Sequence, residues 1–152
     1  MMKQLDTKDA MLLLESNYIG QLAYIYRNRP FTVPITYFYS KKDHVIIGYS
    51  SEGHKIEALR VNSAVALGVS EIESVDDWNS VVAHGTFKEL SGSVAKAYLH
   101  EFSLGVKHLI IKKQHKALDY INQFSCKTEK DGDMPVVFLI KIDDLTGKMR
   151  RD

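Results

Sequence analysis

Residues 18 to 50 alternate between apolar and polar positions with a period of two, which predicts β-strands buried on one face. Turn-forming residues at 27–30 and 40–43 divide this region into three consecutive antiparallel strands. Pro34 interrupts the second strand and cannot donate to a neighbour, so we expect an edge, a bulge or a ligand-lining stretch there. The apolar residues predicted on one face of that strand are Phe31, Val33, Ile35, Tyr37 and Tyr39.

Helical spacing of apolar residues replaces the strand pattern in four other segments. The first segment, Thr7 to Ser16, has Thr7 as its predicted N-cap and is expected to cover one end of a barrel. A second helix is predicted over 53–62, directly after the third strand. The other two predicted helices are 93–103 and 112–124.

The remaining strand patterns lie between and after these helices, at 64–70, 79–90 and 135–143. Gly85 interrupts the longest of them and predicts a bend or bulge. Six strands in mostly adjacent hairpins, with helices on the outside and at the ends, predict a mainly β fold, a small six-stranded antiparallel barrel. The length of 152 residues is that of one domain, so a single domain over 1–152 is expected.

Composition and charge narrow the class of protein. Hydrophobic residues make up 45% and charged residues 26%, which is typical of soluble globular proteins. A formal net charge of +1 gives no global field that attracts nucleic acid or a membrane surface, so neither partner is expected. No apolar stretch approaches the roughly 18 residues of a membrane-spanning helix. The single cysteine, Cys126, excludes an intramolecular disulfide and is typical of the cytoplasm, the predicted location.

The turn between the third strand and the second helix carries the strongest functional signal. Backbone N–H groups at a helix N-terminus lack intrahelical partners and carry the positive end of the helix dipole, which favours a phosphate. Lys55 and Arg60 would add positive charge. An ordinary capped helix explains the same pattern, and a surface ion pair with Glu52 or Glu57 is the alternative for Arg60. The six histidines include no pair at metal-binding spacing, so no metal site is predicted.

Three stretches in a fixed order give the chain a family resemblance. They are Ile19-Gly20-Gln21-Leu22-Ala23, Pro30-Phe31-Thr32-Val33-Pro34-Ile35-Thr36-Tyr37 and the Ser50 to Arg60 turn and helix. With the strand that follows Trp78, they resemble the FMN-binding split barrel of the pyridoxamine 5'-phosphate oxidase-like superfamily, and most closely its nitroimidazole-resistance branch. The resemblance covers residues 10 to 90 well and the last strand loosely.

The resemblance implies FMN as the cofactor. Main-chain groups of one strand would meet the polar edge of the isoalloxazine ring, and the following turn would hold the phosphate. Family members usually form two-fold dimers, so a homodimer with FMN sites at the subunit interface is expected, which would also cover an open barrel edge. The implied residues are Thr32, Val33, Pro34, Ile35, Thr36 and Tyr37 for the ring, Tyr49, Ser50, Ser51, His54 and Lys55 for the phosphate, and Ser80 for the ring or ribityl chain.

Two departures from the family pattern limit the implied function. Many nitroimidazole-resistance proteins have Phe-His-Ser-Ala where this chain has Gly48-Tyr49-Ser50-Ser51, so any role of that histidine is lost. The C-terminal basic segment with which true pyridoxamine phosphate oxidases bind the substrate phosphate is not recognisable in residues 145–152. Oxidation of a vitamin B6 phosphate is therefore not expected.

The resemblance therefore implies an FMN-dependent oxidoreductase that acts on a small aromatic, for example nitroaromatic, substrate. His54 is the candidate catalytic residue, since a histidine hydrogen-bonds phosphate or moves a proton near neutral pH. A non-catalytic flavin- or haem-binding stress protein is the alternative, with His84 or His108 as the haem ligand. A dimeric barrel without a cofactor is the least specific alternative.

Overall fold

The computed structural model describes residues 1–114 and 135–152, which form a β-rich fold. The strands are β1 (Met2–Gln4), β2 (Ile19–Tyr26), β3 (Arg29–Ser40), β4 (Val45–Ser50), β5 (Ala64–Ser74), β6 (Asp77–Leu90) and β7 (Val136–Arg151). The helices are α1 (Thr7–Glu15), α2 (His54–Val61) and α3 (Gly92–Gln114). No helix in these residues is long and apolar enough to cross a membrane.

Six of the described strands close into a ring. Their order is β7-β4-β3-β2-β5-β6, every pairing is antiparallel, and β6 pairs back onto β7. The predicted six-stranded barrel is confirmed, and the short β1 is an additional strand on β7 that the sequence pattern missed. The pairing of β6 with β7 shifts register between His84 and Gly85, as predicted. A Cβ on Gly85 would collide with the Lys141 carbonyl oxygen, so only glycine fits there.

Apolar residues pack in two layers. One fills the barrel interior, and the other lies between the outer face of the sheet and α3. The predicted face of β3 is confirmed, because Tyr37 and Tyr39 lie in the barrel core while Phe38 lies on the α3 side. Buried Leu13 and Leu14 of α1 join the barrel core, so this helix covers one end as expected.

Several predicted boundaries are wrong. The N-cap of α1 is Asp6, whose carboxylate accepts from the Asp9 N–H at 2.8 Å, and Thr7 is already helical. The helix predicted over 93–103 continues to Gln114, and the last strand continues to Arg151. Most of the helix predicted over 112–124, and Cys126, lie outside the described residues.

Candidate functional site

The first half of β3 is a free sheet edge. β4 pairs with β3 only over Tyr37–Ser40. β2 pairs with it from Arg29 to Thr36, so within the described residues this segment has a strand on one side only. Pro34 lies opposite Gln21 in this segment, where the missing proline N–H leaves no ladder hydrogen bond unmade. The edge predicted from Pro34 is therefore confirmed.

Alternation along β3 decides which main-chain groups face the free edge. The Tyr37 N–H donates to the Tyr18 carbonyl oxygen at 2.8 Å, on the β2 side. Because neighbouring residues of a strand direct their N–H and C=O groups to opposite sides, the N–H groups of Thr32 and Thr36 face the edge. The carbonyl groups of Thr32, Pro34 and Thr36 face it too. The edge offers donors and acceptors in a row, which suits the polar rim of a planar heterocycle.

Side chains of β3 alternate between the barrel interior and the outer surface. The inner residues are Val33, Ile35 and Tyr37, and the outer ones are Thr32, Pro34 and Thr36. Tyr37 is fully buried, and its hydroxyl donates to the Leu14 carbonyl oxygen at 2.7 Å. Burial raises the pKa of Tyr37 far above its ordinary value. The hydroxyl and the main-chain N–H of Tyr37 are engaged inside the fold, and β4 pairs with the strand at Tyr37, so this predicted ring-binding residue is not at the free edge.

The turn after β4 enters α2 without a side-chain cap. Gly53 is the N-cap residue, and no side chain accepts a hydrogen bond from the first turn of the helix. The Ser50 hydroxyl instead donates to the Ser51 carbonyl oxygen at 2.9 Å. The first N–H groups of α2 are thus left for solvent or a ligand, at the positive end of the helix dipole.

The two basic residues of α2 differ in their partners. Arg60 makes paired hydrogen bonds to Glu52 and to Glu89, at 2.6 to 2.9 Å, so the ion-pair alternative holds for Arg60. Lys55 is half-buried and has no carboxylate within ion-pair distance among the described residues. Desolvation by burial lowers the pKa of Lys55. A half-buried cation without a counter-charge is suited to bind an anion.

His54 is the first residue of α2, and its ring packs against the β2–β3 hairpin. The ring centroid lies 4.9 Å from that of Tyr26 and 5.0 Å from that of Phe31, and Nδ1 lies 3.0 Å from the Tyr24 hydroxyl. The sequence singled out His54 but not these three aromatic neighbours. The two-residue turn between β2 and β3 could have predicted this cluster, since it places Tyr24 directly opposite Phe31.

The family model of pyridoxamine 5'-phosphate oxidase matches residues 6–149 of the chain. The chain belongs to this family. The match includes the free edge of β3, the turn after β4 and α2. Among curated proteins, no sequence matches the chain.

Solved structures share the fold of this family member. An FAD-binding protein from Mesorhizobium loti is 25% identical, with 98% of each chain covered and a TM-score of 0.73. An FAD- and haem-binding protein from Mycobacterium smegmatis is 15% identical, with 99% of this chain and 74% of that chain covered and a TM-score of 0.70. A candidate 5-nitroimidazole antibiotic resistance protein from Bacteroides thetaiotaomicron is 18% identical, with 100% and 92% covered and a TM-score of 0.64.

In a single chain of this pyridoxamine 5'-phosphate oxidase family member, the side chains of two residues implied by the resemblance lie away from the turn before α2. The ring of Tyr49 packs edge-on against Phe102 at 5.1 Å, on the α3 side of the sheet, and burial raises its pKa. Ser80 accepts a hydrogen bond from Ser70 at 3.0 Å. Ser80 pairs with the C-terminal part of β7, whereas Ser50 pairs with its first residue, so the two serines lie at opposite ends of that strand.

Proposed function

We propose that the protein is an FMN-binding oxidoreductase whose cofactor phosphate binds at the turn before α2. Lys55 carries the proposal, because it is half-buried, lacks a carboxylate partner among the described residues and follows an uncapped helix start. A phosphate there would accept from the first N–H groups of α2 and pair with the Lys55 ammonium. Ser51 would add a hydroxyl donor from the turn, and Ser50 would add another on turning its hydroxyl away from the Ser51 carbonyl oxygen.

The free edge of β3 supports a flavin ring beside this phosphate position. Flavin carries carbonyl and N–H groups along one rim, and the N–H of Thr32 and carbonyl of Pro34 face the edge with the matching chemistry. Ile19, opposite Thr36, is 57% exposed and adds apolar surface on which a planar ring can pack. Bound FMN would supply the electron transfer, while these residues bind and orient it.

The proposed flavin is FMN rather than FAD. FAD carries two phosphate groups, whereas FMN carries one. Arg60 is neutralised by Glu52 and Glu89, which leaves Lys55 as the one cation of α2 without a counter-charge in the described structure. One unpaired cation at one helix N-terminus suits a monophosphate.

A homodimer is part of the proposal, because in a single chain Ser80 lies far from the turn before α2. The outer face of β2, β5 and β6 lies away from α3, and Ile19 and Ile72 on it are 57% and 71% exposed. Exposed apolar residues on one sheet face support the proposal that a second copy packs there. A second copy packed across it in two-fold symmetry would bring the partner's Ser80 towards the free edge of β3.

The proposed substrate is a small aromatic acceptor, for example a nitroaromatic compound. The likeness to the candidate 5-nitroimidazole resistance protein supports this class. A protein that binds flavin or haem without catalysis is the second candidate, favoured by the likeness to the FAD- and haem-binding protein of M. smegmatis. The single cysteine supports the cytoplasm as the proposed compartment.

Titration of the purified protein with FMN, FAD and haem tests these proposals. We expect tight binding of FMN, weaker binding of FAD, and oxidation of a reduced nicotinamide by the FMN-bound protein with a nitroaromatic acceptor. A Soret band after addition of haem supports the second candidate, as does flavin binding without turnover. A dimer that binds neither flavin contradicts the proposed function.

A further inference from the structure

The His54 imidazole is held by three aromatic rings of the β2–β3 hairpin. Tyr26 and Phe31 contact it edge-on, and Tyr24 is tilted to it with ring centroids 5.8 Å apart. Tyr24 and Phe31 are themselves stacked at 5.4 Å with an interplanar angle of 10°. The plane of the imidazole is therefore set by the hairpin, while the His54 side chain remains exposed on its other side.

A hydrogen bond between Tyr24 and His54 adds to this packing. The Tyr24 hydroxyl lies 3.0 Å from His54 Nδ1, and Tyr24 is only 7% exposed. No other partner for this hydroxyl exists among the described residues. A tyrosine hydroxyl carries its proton at neutral pH, and a neutral imidazole accepts at Nδ1 only when its own proton is on Nε2.

We propose that Tyr24 is a positioning residue that holds His54 in the tautomer protonated at Nε2. The Nε2–H of the exposed His54 side chain is then a fixed donor on the residue that precedes Lys55, and it serves the phosphate of the bound cofactor. This inference rests on the proposed function, because it assumes an anionic group at the turn before α2. Tyr26 touches the same ring without a hydrogen bond in the described structure, so Tyr26→Phe is a matched control for Tyr24→Phe.

The tautomer is measured first, on unliganded ¹⁵N-labelled protein, from long-range couplings of the histidine ring nitrogens, with His54→Gln to assign the signals. We expect wild-type His54 to be protonated at Nε2, and Tyr24→Phe to convert it to a mixture of both tautomers. Tyr26→Phe should leave the signals unchanged. Wild-type His54 protonated at Nδ1 would overturn the inference, because Tyr24 would then be the acceptor.

Affinity for FMN is measured next on the same variants. We expect Tyr24→Phe to weaken FMN binding by about two- to threefold, because the apparent affinity falls with the fraction of His54 that is protonated at Nε2, and Tyr26→Phe to leave it unchanged. In a His54→Ala background, Tyr24→Phe should cause no further loss. Equal affinities of Tyr24→Phe and Tyr26→Phe overturn the inference while leaving the proposed function intact. If the wild type does not bind FMN, the proposed function fails, and so does the role of His54 as a donor to the cofactor phosphate. The tautomer measurement then shows separately whether Tyr24 orients His54.

Discussion

The Tyr37 hydroxyl donates a hydrogen bond to the Leu14 carbonyl oxygen at 2.7 Å and thereby ties β3 to α1. Leu14 lies in the last turn of α1, where carbonyl groups lack intrahelical partners. Tyr37 is fully buried, so this bond satisfies two polar groups that water does not reach. The residue that the family resemblance implied for the flavin ring thus closes one end of the barrel.

Tyr37→Phe is expected to lower the free energy of unfolding by about 1–3 kcal/mol, because it leaves the Leu14 carbonyl without its partner. Urea denaturation followed by circular dichroism measures the change. Tyr26→Phe is the control, since the half-buried Tyr26 makes no side-chain hydrogen bond in the described structure. Equal stabilities of the two variants would show that the Tyr37 bond contributes nothing.

Tyr37 also makes the free energy of unfolding depend on pH in the alkaline range. Burial, and then the negative charge of Glu71, raise the pKa of Tyr37 in the folded protein. An unfolded tyrosine loses its proton near pH 10. Above that pH the unfolded state binds fewer protons than the folded state, so the free energy of unfolding falls as pH rises, by at most about 1.4 kcal/mol per pH unit from this group.

Denaturation between pH 9 and pH 11.5 tests this linkage, and the fall should be shallower in Tyr37→Phe than in the wild type. Some pH dependence must remain in the variant, because burial also raises the pKa of Tyr39 and Tyr49. Parallel curves for the two proteins would mean that Tyr37 titrates alike in the folded and unfolded states.

The alternation of apolar residues predicted the strands and the buried face of β3, because that pattern follows from burial on one side of a sheet. The same alternation implies that the side chains of Tyr49 and Ser50 lie on opposite sides of the sheet, since adjacent residues of a strand face opposite sides. The pairing of Arg60 with Glu89 was not predictable in this way. Glu89 is 29 residues away along the chain, and only barrel closure brings it to α2.

Lys55→Ala is expected to weaken FMN binding by about 1–3 kcal/mol, roughly 5- to 150-fold in Kd, because it removes the unpaired charge at the start of α2. Fluorescence titration of the unliganded protein with FMN measures the change. Lys8→Ala is the control, since Lys8 is an exposed lysine on α1 without an ion pair in the described structure. Equal affinity of both variants would exclude Lys55 as the phosphate ligand.

Arg60→Gln is expected to leave FMN affinity unchanged, although the charge lost is the same as in Lys55→Ala. Both Glu52 and Glu89 already neutralise Arg60, and the hydrogen bonds from Arg60 lower the pKa of Glu89. The variant should instead be slightly less stable, with a difference that shrinks as salt is added. A loss of FMN affinity as large as that of Lys55→Ala would show that Arg60 turns from its carboxylates to the ligand.

Ile72→Lys is expected to prevent formation of the proposed dimer and to weaken FMN binding as a result. Ile72 is 71% exposed on the outer face of β5, beside the strand that carries Ser80, so a lysine ammonium there would be desolvated on dimerisation. Sedimentation equilibrium and FMN titration measure the two effects. Val94→Lys is the matched control, because Val94 is 52% exposed but lies on α3. If Ile72→Lys becomes monomeric and still binds FMN with wild-type affinity, the partner's Ser80 is not required, and a single chain completes the site.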